Sequence, residues 1–115
     1  MFRTIMFIAA VGLAAPAGAA TEAEKEAECA FQAELRGAVQ TARLDRVRKS
    51  KVAERLIAEN PDWPAGVAQA LPSLTNYVYS IRRSDLRQVD LAAQTKATCM
   101  QNYDQIQSLK NSVTN

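Results

Sequence analysis

Only two cysteines occur in the 115-residue chain, Cys29 and Cys99, and they lie near opposite ends of the part that can fold. A bond between them would close a 71-residue loop and tie the first element of the fold to the last. In the chain-entropy description such a closure stabilises the native state by roughly 4 kcal/mol, about as much as the whole net stability of a small domain. The alternative, a pair of reactive thiols, calls for a Cys-x-x-Cys spacing or a neighbouring histidine. The chain has neither, and it contains no histidine at all. An even pair of cysteines in an oxidising compartment is therefore read as one disulfide.

The compartment is read from the first twenty residues. Arg3 supplies a charged start, Ile5 to Ala15 an apolar run of 11 residues, and Ala17, Gly18, Ala19 and Ala20 the small side chains that a signal peptidase accepts. Cleavage is expected after Ala19 or Ala20. The apolar run is shorter than the roughly 20 residues of a spanning helix, and Pro16 and Gly18 interrupt its far side. No second apolar stretch follows, so the mature chain is expected to have no transmembrane segment and to be periplasmic or secreted. Cys29 follows Ala27 and Glu28 well beyond the cut, out of place for a lipid-accepting first residue.

The organisation expected is residues 1–20 as a cleaved signal peptide, 21–110 as a single helical domain and 111–115 as a frayed end. A chain of this size buries only about 60 to 65 per cent of the surface that its unfolded form exposes, which makes the covalent tie valuable. No stretch alternates with period two, whereas several repeat every three to four residues, so the fold class is all-α, a bundle of three to five helices with the first and last joined by the disulfide. Thr21 with Glu24 forms the pattern of a capping box, and glutamates crowd the first turns, where the helix dipole favours negative charge. On this first helix Phe31, Leu35, Ala38, Val39 and Ala42 make a bulky face, and Cys29, Ala33 and Gly37 a small one that lets another helix approach.

Past Arg43 the apolar stripe is interrupted, and two continuations fit. Either the helix runs on unbroken through Val52 and Leu56, or it breaks near residues 43–51 and Ser50 caps a short second helix. The break is favoured, since a helix of more than 35 residues is long beside a mean near 12. Asn60-Pro61-Asp62-Trp63-Pro64 is a firm boundary, with Asp62 or Trp63 as cap and Pro64 in the next first turn. Pro72 is expected to open a new segment through Leu74, Val78 and Ile81. Ser84 is expected to cap the last helix, with Leu86, Val89, Ala93, Ala97, Met100 and Tyr103 as its apolar face and Cys99 and Ile106 at the edge.

Function is less legible. Without histidine, no Ser-His or Cys-His nucleophile and no imidazole metal site can be assembled, and the glutamates near Glu22 are better explained as dipole partners than as general acids. No catalytic residue, metal ligand or cofactor is expected, and the chain is read as a non-enzyme. Without Arg3 the balance is 13 basic against 12 acidic residues, which selects no partner class. The charges are nevertheless segregated. Arg43, Arg46, Arg48, Lys49, Lys51 and Arg55 form a basic stretch broken only by Asp45 and Glu54, and it is the candidate interaction surface, facing an anionic envelope component or an acidic envelope protein. Export disfavours nucleic acid as the partner. A solvated connector explains the same charges, and the stretch lacks aromatic residues. Trp63 is read first as core lining and second as an aromatic contact for a partner. Of Tyr77 and Tyr79, one is expected to face inward and the other outward.

Cys29 in an Ala-rich first helix, an Arg-containing connector, the Val78-Tyr79 pair and Cys99 twenty residues after that tyrosine together resemble the small exported two-cysteine helical proteins of Gram-negative bacteria, most of them uncharacterised. The likeness spans residues 29 to about 103 and is one of spacing; it implies the helical fold and the disulfide, and no activity. The chain lacks the glycine that the resemblance leads one to expect near Arg46. The function expected is a non-catalytic binding or structural role in the cell envelope. The alternative is a periplasmic holdase chaperone, since the chain is similar to acid-activated periplasmic chaperones in size, helical makeup and single disulfide.

Overall fold

The computed structural model describes residues 21–114, and the expected signal segment 1–20 lies outside them, as does Asn115. The described residues form five α-helices and no strand: α1 (Glu22–Leu44), α2 (Val52–Glu59), α3 (Val67–Tyr79), α4 (Arg83–Leu86) and α5 (Leu91–Thr114), with a 3₁₀ turn at Lys49–Lys51 before α2. The all-α class and the tie between first and last helices are as expected. Cys29 and Cys99 are bonded with their Cα atoms 5.5 Å apart.

That bond lies in an antiparallel seam between α1 and α5. Just over two turns along α1 from Cys29, Gly37 meets Ala92 so closely that a Cβ at position 37 would stand 3.3 Å from the alanine methyl. Cys29, Ala33 and Gly37 thus act as the close-approach row. Around the bridge, Cys29, Cys99 and Tyr103 make a small buried cluster with Met100 against it. The polar ties across this end are Tyr103 Oη donating to Glu28 Oε2 at 2.9 Å and the ion pairs Lys25–Asp104 at 3.8 Å and Lys96–Glu26 at 3.6 Å.

The opposite face of α1 enters the main core. Leu35, Val39 and Ala42 pack with Val52 and Leu56 of α2, Val67, Leu71 and Val78 of α3, Leu86 of α4 and Leu91 of α5. Phe31 is half-buried and meets the Trp63 ring edge to face at 6.4 Å. Trp63 therefore staples the loop before α3 onto the core. Tyr77 is half exposed, and Tyr79 turns inward to donate its hydroxyl to the Val47 carbonyl at 2.5 Å.

Thr21 caps α1 as expected, its hydroxyl accepting the Glu24 N–H at 3.1 Å. The break also falls where it was favoured, but Ser50 is not its cap. The helix ends in a Schellman motif: Val47 N–H donates to Ala42 O at 3.0 Å and Arg46 N–H to Arg43 O at 3.2 Å. This geometry places Arg46 in the left-handed region, φ 63°. The reversal leaves Arg48 extended, so the chain restarts as a 3₁₀ turn with Ser50 inside it, and α2 follows with no side-chain cap.

Three other boundaries differ from expectation. Neither Asp62 nor Trp63 caps α3, and Pro64 precedes it, because the turn continues to Gly66 before the helix begins. Pro72 lies inside α3 instead of opening a segment. It has no N–H to offer the Ala68 carbonyl, a loss that solvent can make good at an exposed residue, while Leu71, Thr75 and Val78 keep the helix seated on the core. Ser84 sits within α4. The last helix starts later, at Leu91, where Asp90 caps it by accepting the Ala93 N–H on Oδ1 at 3.0 Å. Its buried row is Leu91, Thr95, Cys99 and Tyr103, whereas Ala93 and Ala97 are exposed and Val89 precedes the helix. Alanine carries too little hydrophobic signal to set a helix phase, and the disulfide sets it instead. Residues 111–114 are assigned to the end of α5, where Ser112 Oγ donates to Leu109 O at 2.8 Å.

Candidate functional site

The basic stretch divides into three groups according to what the fold does with each side chain. Arg43, in the last turn of α1, is half-buried and structural. Its guanidinium lies 5.0 Å from the centre of the Tyr79 ring, Nη2 donates to the Ile81 carbonyl at 3.4 Å, and the buried Nε has no hydrogen-bond partner among the described residues. Lys51, at the end of the 3₁₀ turn, and Arg55 of α2 are matched by Glu54 at 3.7 Å and Glu59 at 3.1 Å. Such exposed pairs contribute well under about 1 kcal/mol of stability, but they cancel charge locally. Arg46, Arg48 and Lys49 are exposed and make no ion pair among the described residues.

Tertiary structure adds two cations that belong to no basic run in the sequence. Arg43 touches the Ile81 carbonyl, and Gln40 donates to the Leu86 carbonyl at 2.8 Å, so the end of α1 lies along residues 81–86. This brings Arg83 within electrostatic reach of Arg46 and Arg43, with Arg87 four residues further along the chain. The Arg83 guanidinium is held below its ordinary value by the charge of Arg46 first, then by burial and by the charges of Arg43 and Arg87. Arg82, next in sequence, is instead held by Asp85 at 3.1 Å. The signal that could have pointed to the cluster was the pair Arg82-Arg83 near Arg87 in a connector, but nothing in the sequence said which end of α1 it would meet.

A neighbouring groove of about 560 Å³ runs between the 3₁₀ turn and α3, lined by Lys49, Ser50, Ala53, Pro72, Thr75 and Asn76. A second, about 300 Å³, lies between α1 and α5 where Arg36 stacks 5.4 Å from the Tyr77 ring centre. Neither groove contains a cluster of titratable groups suited to acid or base work. Among the described residues no three His, Cys, Asp or Glu side chains are grouped to hold a metal ion, and no helix is long and apolar enough to cross a membrane.

Asp45, Asp85 and Asp90 lie at the arginine end, but a denser acidic group stands at the other end of α1. Glu22, Glu24 and Glu26 occupy the first turns of α1, near Asp104 of α5. With α1 about 34 Å long from its rise per residue, the bundle carries negative charge at the disulfide end and positive charge at the Schellman end. No family model, curated protein or solved structure matches the chain.

Proposed function

We propose that this protein is an exported, non-catalytic binding module of the cell envelope that meets an anionic partner with its arginine end. The observation that carries the reading is the approach of the end of α1, with Arg46, to residues 81–86, with Arg83 and then Arg87. These segments are far apart in sequence, and none of the three arginines is in an ion pair among the described residues. Crowding like charges costs native stability, and an anion bound across them relieves that cost. The disulfide and the expected leader support export. The test is retention of the oxidised chain on an immobilised heparin column. Retention that added salt releases, and that Arg46→Glu/Arg83→Glu abolishes, supports the reading. Elution of both proteins in the void volume removes it.

A second reading, an acid-responsive holdase, draws on the disulfide end. Each of the three polar ties described there between α1 and α5 rests on a carboxylate, Glu26, Glu28 or Asp104. Two of them, Lys96–Glu26 and Lys25–Asp104, are ion pairs that need the carboxylate charge, whereas the covalent bridge does not. Dye-detected apolar surface and suppressed client aggregation at acidic pH would support it. A protein that stays compact and inert in acid would rule it out.

A further inference from the structure

We infer that the arginine end docks onto an anionic phospholipid surface, with the long axis of the bundle standing away from the bilayer; this rests on the binding reading above and names its partner. Three features of the end point to a sheet of phosphates over a single ion. The unpaired cations come from three segments, Arg46 after α1, Arg48 and Lys49 before α2, and Arg83 and Arg87 at α4, so the charge is spread across the end of the molecule. Neither groove described above is lined by Arg46, Arg83 or Arg87. Guanidinium groups also take phosphate oxygens two at a time, which suits adjacent headgroups.

Orientation follows from the opposite pole. Glu22, Glu24 and Glu26 sit a full helix length away, so a negatively charged surface attracts one end and repels the other. Basic residues held near such a surface each add to the attraction, which falls off within a Debye length. Two residues beyond Arg87, Val89 is 37 % exposed and supplies an apolar side chain at the same connector.

The experiment is flotation of the oxidised chain from Thr21 with vesicles of phosphatidylcholine, with and without phosphatidylglycerol. The wild type should float only with the phosphatidylglycerol vesicles and be released by salt. Arg46→Glu/Arg83→Glu should weaken binding by roughly tenfold or more, whereas Arg55→Glu/Lys96→Glu, with the same change in net charge, should bind nearly as the parent. Should the first double variant fail to fold, Arg87→Glu at an exposed position must still show a clear loss. Equal binding by the two double variants overturns the inference, because it would make attraction a matter of net charge alone. Displacement by inorganic phosphate at constant ionic strength also overturns it, by assigning a single-ion site. Heparin retention without flotation leaves the binding reading standing and shifts the partner to an acidic protein or polymer; loss of both removes both.

Discussion

The side-chain oxygen of Gln40 accepts the backbone N–H of Leu91 at 3.1 Å, a bond across 51 residues that fixes where the last helix begins. Leu91 opens α5, and its N–H is one of the donors that a helix start leaves without an internal partner. The amide nitrogen of the same glutamine donates to the carbonyls of Leu86 and Val89, each at 2.8 Å. One buried side chain thus satisfies both sides of the connector between α4 and α5.

Gln40→Met keeps length and removes all three bonds. It should cost about 3 kcal/mol, since buried groups left without partners each carry a penalty of that order or somewhat less. A urea midpoint unchanged from the parent would show that water replaces the amide.

Arg46→Gly should raise stability by about 1 kcal/mol. The Schellman turn holds residue 46 at φ 63°, where an L side chain crowds its own backbone and glycine does not. The greater freedom of glycine in the unfolded chain offsets part of the gain. Equal or lower stability in a urea titration would place the strain elsewhere.

Cys29→Ser should lower stability by roughly 2 to 5 kcal/mol, because the bridge spans a sequence separation of 70. Phe31→Ala should cost less, about 2 kcal/mol, since the ring is only half-buried and loses one edge contact with Trp63 along with its packing. Urea midpoints of the two variants order them directly, and a larger loss for Phe31→Ala would contradict the core described above.

Alkaline pH should weaken the fold through two tyrosines. Burial raises the Tyr79 phenol above its ordinary 10.0, partly offset by Arg43, and the hydrogen bond to Glu28, with burial and nearby carboxylates, raises that of Tyr103. A raised folded value means that the native state holds the proton more tightly. The contribution is complete below about pH 10 and is lost as pH rises through the folded values. Tyr79→Phe/Tyr103→Phe should show a shallower fall of urea midpoint above about pH 10 than the parent. Identical alkaline limbs would refute the assignment.

Sequence by itself determined the helical class, the disulfide, the cap at Thr21, the break after Arg43 and the two faces of α1, because each rests on local chemistry or on helical spacing over large residues. It misplaced the start of the last helix. Ser84 and Asp90 are both good caps, and the choice between them is made by Gln40, a polar residue on the same row as Cys29, Ala33 and Gly37 whose partners lie more than forty residues away. Likewise the buried phase of α5 passes through Leu91, Thr95, Cys99 and Tyr103, a row whose one threonine looks polar until a helix is packed on it.

The candidate site divides in the same way. That residues 43–55 are basic is plain in the chain, but which of those charges are available was decided by neighbours: Tyr79 and Ile81 absorb Arg43, and Glu54 and Glu59 match Lys51 and Arg55. Arg83 came within reach of Arg46 only because α1 reverses at a left-handed residue and α4 packs beside its end. Helix propensity and caps act over a few residues and can be read in order along a chain. Charge clustering depends on distance in space, which only the packing of the core against the bridge sets.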